Sequence, residues 1–185
     1  MFRLLLSAGL ASTLLAAPAI VNSQAGKAPP NPVLVIDTAK GVIEVGLTPA
    51  EAPKTIAHII DLAQHNFYRG QRFHWVTTGV IQFGDPLSRD LTKRLEWGSG
   101  GSGVRMVNKP LGFAELSKKP FVRGTVGLAY RSDRKAETGD SQIFILTGAN
   151  PAMTGKYTQI GKVIKGIEIA DKIEVQDIIK NVTVR

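Results

Sequence analysis

The sequence of 185 residues contains no cysteine, and aromatic residues make up only 6% of it. Without cysteine the chain has no disulfide, no thiol nucleophile and no lipid-modified cysteine to tether it to a membrane. There are only three histidines, His58, His65 and His74, and no cysteine can complete a tetrahedral metal site with them. We therefore expect neither a metal nor a cofactor.

Two other kinds of active site are also missing from the sequence. No G-x-S-x-G string occurs, and Asp140-Ser141 has no evident base beside it, so serine hydrolysis is disfavoured. The string GSGGSG at residues 98–103 is not followed by the helix and the Lys-Ser or Lys-Thr pair of a phosphate-binding loop. We interpret it as a flexible loop.

The first 25 residues have the layout of an export signal. A basic residue at position 3 precedes an apolar run, and small-residue sites follow at positions 17–19 and 23–25. An uncleaved anchor is disfavoured because the run is interrupted and is shorter than the roughly 20 apolar residues of a spanning helix. We predict a signal peptide over residues 1–25, a proline-rich extended leader over 26–32, and a periplasmic or secreted mature protein without stable membrane insertion.

The formal net charge of +8 is concentrated between Arg89 and Lys135. This stretch lacks the closely interleaved aromatic residues that stack nucleic-acid bases, and an exported protein rarely meets nucleic acid. We therefore expect no nucleic-acid partner and interpret the stretch as a solvated basic face. Attraction to anionic membrane surfaces or to acidic unfolded chains is the alternative.

Apolar patterning predicts a mainly β domain over residues 33–185. Alternation on either side of a turn at 38–41 indicates an opening hairpin, and apolar residues at helical spacing indicate a helix from Pro53 to near Asn66. The rest consists of short apolar segments between glycines, which is typical of a sandwich or barrel. These segments predict strands at 73–77, 80–83, 104–106, 125–130, 142–147 and 158–163, a short helix at 167–172 and a closing strand within 173–184.

Four strings occur in one order along the chain: FHWVTTGVIQFGDP at 73–86, RGTVGLAY at 123–130, GDSQIFIL at 139–146 and GKYTQIGKVIKG at 155–166. Through them, residues 33 to about 184 resemble the cyclophilin-type peptidyl-prolyl cis-trans isomerases. The resemblance implies a closed eight-stranded antiparallel β-barrel capped by two helices. It also implies isomerisation of X-Pro bonds, here in unfolded or newly exported polypeptides, and we expect a monomer.

The same resemblance assigns the site. The family's catalytic arginine corresponds to Trp75, and Gln82 matches the glutamine that in the family binds substrate backbone and steadies that arginine. Trp75 either fills the space of the arginine or offers its indole N–H as a weaker neutral donor. With these two as catalytic residues, the implied substrate-binding residues are Phe73, Val80, Ile81, Ala129, Tyr130, Gln142, Phe144, Met153 and Tyr157.

The departures from the family pattern concern the rim of the implied pocket. Phe144 and Ala129 keep the apolar floor, although both also suit plain barrel core. By contrast, Ala152 stands where the family has a tryptophan wall, and Tyr157 stands where it has a histidine. We predict that Gln82 and Tyr157 face one groove. The function predicted is an isomerase with reduced or altered activity; the alternatives are a proline-peptide binding module or holdase chaperone and, with least support, a structural envelope protein.

Overall fold

The computed structural model describes residues 30–103, 112–130 and 135–185. The predicted signal peptide, the leader as far as residue 29, the strand predicted at 104–106 and part of the basic stretch lie outside these ranges. Within them, no helix has the length and apolar character needed to cross a membrane. The described ranges also contain no group of three or more histidine or acidic residues that could hold a metal ion.

The described part of the domain forms one curved sheet of eight antiparallel strands. The strands are β1 (Val33–Thr38), β2 (Gly41–Leu47), β3 (Trp75–Thr77), β4 (Val80–Phe83), β5 (Thr125–Leu128), β6 (Ile143–Leu146), β7 (Thr158–Lys165) and β8 (Ile179–Val184). Their order across the sheet is β3-β4-β6-β5-β7-β2-β1-β8. The prediction of a mainly β fold of eight antiparallel strands with helices is thus confirmed.

The two ends of the sheet meet through the segments that precede β3 and β8, and not through β3 itself. The segment that leads into β3 pairs with the segment that leads into β8, through an isolated antiparallel bridge between Arg72 and Ile178. Phe73 N donates to Asp177 O at 3.0 Å, and Ile179 N donates to Gln71 O at 2.8 Å. These bonds leave β3 as a short strand with one edge outside the ladder, which holds Trp75 at the rim of the sheet.

The two faces of the sheet carry two separate apolar clusters because side chains alternate along a strand. In β6, Ile143 and Ile145 belong to the barrel core, whereas Phe144 and Leu146 belong to a second cluster on the outer face. We call this second group the outer cluster. It consists of the buried residues Phe121, Ala129, Phe144 and Leu146, with the partly buried Val80, Met153 and Tyr157 packed against them.

Among the described residues, two α-helices accompany the sheet. Helix α1 (Pro53–Gln64) has proline in its first turn and buries Ile56, Ile59, Leu62 and Ala63, which recur at helical spacing. It ends two residues earlier than predicted, before Asn66, whose φ is 56°. Helix α2 (Ile167–Ala170) is also shorter than predicted and spans only four residues.

Helix α1 receives its N-terminal cap from a distant loop. Ala52 precedes the helix and has no side chain that could accept a hydrogen bond. Instead, the carboxylate of Glu115 accepts from the backbone N–H groups of Lys54, at 3.2 Å, and Thr55, at 2.9 Å. A carboxylate at this end also suits the helix dipole.

The described part of the basic stretch is exposed. Its basic side chains all lie at the surface: Arg89, Lys93, Arg94, Lys118, Lys119, Arg123 and Lys135. Two of these side chains form exposed ion pairs, Lys119 with Glu51 and Arg123 with Asp171. The exposure agrees with a solvated basic face.

Candidate active site

Four residues lie side by side in one row across the sheet. Trp75 in β3 pairs with Gln82 in β4, Gln82 pairs with Phe144 in β6, and Phe144 pairs with Gly127 in β5. Directly opposed residues point to the same face, and neighbouring strands lie about 4.8 Å apart, so the row spans roughly 15 Å. The register therefore brings three predicted site residues together on the outer face.

The row is apolar at one end and polar at the other. At the apolar end, Phe144 is only 2% exposed, and its ring lies over the backbone of Gly127. A Cβ atom on Gly127 would come within 2.4 Å of Phe144 Cζ, so glycine makes the space that the ring occupies. The floor predicted from the sequence is thus a buried ring on the outer face and not part of the barrel core.

Two rings pack against Phe144, and a third stacks on one of them. Tyr157 packs edge-on against Phe144 with ring centroids 5.5 Å apart, and Phe121 lies 6.2 Å away. Tyr130 stacks on Tyr157 at 4.6 Å and donates its hydroxyl to Lys156 O at 3.0 Å. Partial burial, together with the neighbouring Tyr157, raises the pKa of Tyr130, so its hydroxyl stays neutral and able to donate at physiological pH.

Gln82 and Tyr157 are predicted to face one groove although they lie far apart in sequence. Gln82 is the register partner of Phe144, and Tyr157 contacts the ring of Phe144. Both side chains therefore lie on the outer face, next to the same floor residue. Val80 and Met153 border this cluster, while Ala129 contributes to its buried part.

Phe121 was missed by the sequence interpretation. It is fully buried, and its ring lies 6.4 Å from that of Tyr157. Ala152, the position that corresponds to the family's tryptophan wall, is exposed instead. The available signal was the large aromatic residue two positions before the string RGTVGLAY, at the entry to β5.

Two predicted substrate-binding residues do not line this face. Phe73 is fully buried in the barrel core, 5.4 Å from the ring of Phe83. Ile81 is 1% exposed and also belongs to the core, opposite Ile145. Alternation along β4 places Ile81 on the opposite face from Val80 and Gln82. Their assignment to the substrate site is corrected accordingly.

The polar end of the row is a network of amide and imidazole groups. Gln82 Nε2 donates to Gln142 Oε1 at 2.8 Å, and His74 Nε2 lies 3.1 Å from the same oxygen. Burial lowers the pKa of His74 against the opposing effects of Asp85, Gln142 and the Arg72 backbone, which favours the neutral imidazole. Beside this network, Trp75 is 56% exposed.

Gln142 does not fit the substrate-contact role assigned to it. Its Nε2 donates to Gly98 O at 3.0 Å and to Gly100 O at 2.7 Å, while its Oε1 serves Gln82 and His74. All of its polar atoms are engaged inside the protein. The side chain therefore joins Gln82 to the glycine-rich loop.

Two carboxylates hold the loop that the sequence predicts to be flexible. Asp85 accepts from the N–H groups of Gly98 and Gly100, and Asp140 accepts from Ser102 N and Oγ. A Cβ atom on Gly100 would come within 2.3 Å of Asp85 Oδ1, so the loop needs glycine where the carboxylate approaches. The glycines of the loop thus allow its backbone to approach the carboxylates of Asp85 and Asp140 closely.

His58, Asp140 and Ser102 resemble a hydrolytic triad only in composition. His58 Nε2 lies 2.9 Å from Asp140 Oδ1, but the hydroxyl of Ser102 donates to the same carboxylate and not to the imidazole. Burial acts to raise the pKa of Asp140, yet the hydrogen bonds from His58 and Ser102 outweigh it and hold that pKa below its usual range. The carboxylate is therefore an anionic anchor for the loop, and the serine has no base.

Comparisons with known proteins agree with this geometry. The chain is 36% identical over 151 residues to a probable peptidyl-prolyl cis-trans isomerase of Brucella suis, which covers 81% of this chain and 75% of the relative. It is 34% identical over 142 residues to the peptidyl-prolyl cis-trans isomerase-like 3 of Gallus gallus, covering 76% and 81% of the two chains.

Solved structures show the same fold. A cyclophilin-type isomerase of Cryptosporidium parvum, crystallised in the presence of the dipeptide Ala-Pro, superposes with a TM-score of 0.69 at 23% identity, covering 83% of this chain and 98% of the other. The family model described as cyclophilin type peptidyl-prolyl cis-trans isomerase matches residues 33–184. This chain belongs to the cyclophilin-type peptidyl-prolyl cis-trans isomerase family.

Proposed function

We propose that the row from Trp75 to Phe144 is a prolyl-peptide site in which the outer cluster receives the proline ring and Gln82 binds the flanking backbone. The observation that supports this most directly is the register, which sets a polar side chain next to a buried aromatic floor on one exposed face. A pocket of this kind, apolar with a few polar groups, suits a proline flanked by amides.

The activity we propose is isomerisation of X-Pro bonds at a reduced rate. Rotation of a peptide bond breaks its resonance, at a barrier of about 18 to 20 kcal/mol. In the twisted state the prolyl nitrogen regains its lone pair, and a preorganised donor stabilises that state. Trp75 can offer one neutral N–H group at most, which is a weaker donor than a guanidinium.

A second candidate is a proline-peptide binding module or holdase. It is favoured by the contrast between the complete aromatic floor around Phe144 and the uncharged residue at the donor position, Trp75. Such a site holds a proline without strong discrimination in favour of the twisted state, and uniform binding does not accelerate the reaction.

One pair of measurements on one proline-containing test peptide separates these two functions. Exchange between the cis and trans forms is followed by NMR with and without the protein, and the same peptide is titrated for affinity. Acceleration supports the isomerase, whereas binding without acceleration supports the binding module. Absence of both would contradict the proposed site, and a peptide with alanine in place of proline is the control.

We propose further that the clients are unfolded or newly exported polypeptides in the periplasm or outside the cell. The support is the export-signal pattern of residues 1–25. Expression of the full chain in a bacterial host, followed by fractionation and N-terminal sequencing of the product, tests it. We expect a shortened protein outside the cytoplasm; full-length protein retained in the cytoplasm would contradict export.

A further inference from the structure

The amide of Gln142 has a single possible orientation. Its Nε2 faces two backbone carbonyl oxygens, those of Gly98 and Gly100, and a carbonyl oxygen only accepts. The amide oxygen must therefore point the other way, toward Gln82 and His74.

The orientation of Gln142 in turn fixes that of Gln82. Gln82 Nε2 lies 2.8 Å from Gln142 Oε1, and a reversed amide would bring two oxygens to that distance. Because Gln82 Nε2 donates to Gln142, the amide oxygen of Gln82 points away from that pair. It accepts no hydrogen bond from any residue in the ranges that the structure describes.

We propose that Gln142 is a positioning residue that holds Gln82 with its oxygen available, so that the site offers an acceptor to a substrate backbone N–H group. The inference rests on the proposed function of the row as a prolyl-peptide site. It also assigns a purpose to the glycine-rich loop at residues 98–103, because the carbonyl groups of this loop set the orientation of Gln142.

The loop is itself fixed from its other side. Gly98 N and Gly100 N both donate to Asp85 Oδ2, so the two residues whose carbonyl groups bind Gln142 are held through their own N–H groups. Asp85 is fully buried. A chain of hydrogen bonds therefore runs from Asp85 through the loop and Gln142 to Gln82.

Hydrogen exchange of the side-chain amides tests the chain directly. In the wild-type protein we expect the Nε2 protons of Gln82 and Gln142 to exchange more slowly than those of the exposed Gln64, by about twofold to tenfold for a typical net hydrogen bond. Gln142→Met should bring the Gln82 protons to the rate of Gln64. Gln71→Met, which alters another buried glutamine that binds a carbonyl outside the site, should leave them slow.

Three outcomes would overturn the proposal. The first is that the Gln82 amide of the wild-type protein exchanges as fast as that of Gln64. This measurement does not depend on the folding of any variant. The second is an unchanged Gln82 rate in Gln142→Met. The third is an equal rise in Gln71→Met, since that would show a general loosening of the protein.

A double-mutant cycle adds a functional readout. Gln142→Met should lower kcat/KM for a proline peptide roughly fivefold in the wild-type background and have no further effect once Gln82 is methionine, because it acts through Gln82. Gln71→Met should act equally in both backgrounds. Multiplicative effects of the Gln82 and Gln142 substitutions would contradict positioning. If the wild type neither catalyses nor binds, the proposed function fails, and the exchange experiment alone still decides the role of Gln142.

Discussion

The two ends of the row depart from the family pattern in different ways. At the apolar end, position 152 carries an exposed alanine, yet a ring from another segment, Phe121, lies buried beside Phe144 and Tyr157. At the polar end, the neutral Trp75 stands opposite Gln82. Hydrophobic contact is non-directional and can be rebuilt from different positions. A charged donor needs one place and one direction, so its loss is harder to replace.

The sharpest way to test this contrast is to restore the charged donor. Trp75→Arg should raise kcat/KM for X-Pro peptides, because the guanidinium would lie beside Gln82, whose oxygen is available to hold it. Removal of one preorganised donor typically costs on the order of 10²- to 10³-fold in rate, which sets the upper range of the gain. The measurement is the rate of cis-trans exchange of the test peptide.

Two variants control for charge and position. Trp75→Lys adds the same charge without the planar fork of donors and should recover less activity. Thr77→Arg adds a guanidinium on the same strand at another exposed position. Equal gains from Thr77→Arg and Trp75→Arg would show a general electrostatic effect, and no gain in a folded Trp75→Arg would mean that the site uses another geometry.

The apolar end is tested by removing its floor. Phe144→Ala should weaken proline-peptide affinity about tenfold or more, because the peptide loses its contact with a buried apolar side chain. It should also lower the free energy of unfolding by about 3 to 5 kcal/mol, as loss of a buried ring does. Affinity is measured by titration and stability by urea unfolding.

Phe83→Ala separates binding from stability. Phe83 is as deeply buried as Phe144 but belongs to the barrel core, on the opposite face of the sheet. Phe83→Ala should lower the free energy of unfolding by about as much as Phe144→Ala does, and it should leave peptide affinity unchanged in the folded fraction. If the alanine variants unfold, the corresponding leucine variants serve the same comparison. Equal affinities for both variants would remove Phe144 from the site.

The sequence predicted most of the sheet because periodicity reports which residues are buried. It predicted β4 with its observed bounds, but it placed Phe73 and Ile81 in the pocket. A motif lists neighbours in sequence, whereas the pleat sends alternate residues to opposite faces. Phe121 was missed for the complementary reason: it lies in the loop before β5, and an aromatic residue near RGTVGLAY does not by itself show which rings it contacts.

The loop at residues 98–103 shows a second limit. Its glycines were interpreted as a sign of flexibility, whereas the structure shows them in close contact with the carboxylates of Asp85 and Asp140. A glycine-rich string is compatible with either a mobile segment or a closely held one. Only the position of the partner groups distinguishes the two.

A smaller effect is expected from Gln82. Gln82→Ala should reduce kcat/KM or peptide affinity by roughly fivefold, the size of one net hydrogen bond, and should change stability less, because the side chain is only partly buried. Kinetics and urea unfolding of the same preparation give both values. A loss of stability with unaltered kinetics would place Gln82 among structural residues and would leave the polar end without its substrate contact.

The smallest expected effect is a pH dependence of stability caused by His74. Burial lowers the pKa of His74 in the folded protein, and in the unfolded chain it returns to about 6.5. Between these two values the unfolded state binds more protons, so the stability contributed by neutral His74 is complete above about pH 6.5 and is lost as pH falls toward the lowered pKa.

Urea unfolding at pH 5 and pH 7.5 measures this effect. The wild type should be less stable at pH 5, and His74→Gln, which keeps a donor toward Gln142 Oε1, should show a smaller difference between the two pH values. Asp140 does not confound the comparison, because its lowered pKa affects stability only below its usual range near 3.8. The same pH difference in both proteins would mean that His74 is not the group that titrates. The polar end of the row would then contribute no pH dependence, and the contrast with the apolar end would rest on Trp75 and Gln82 alone.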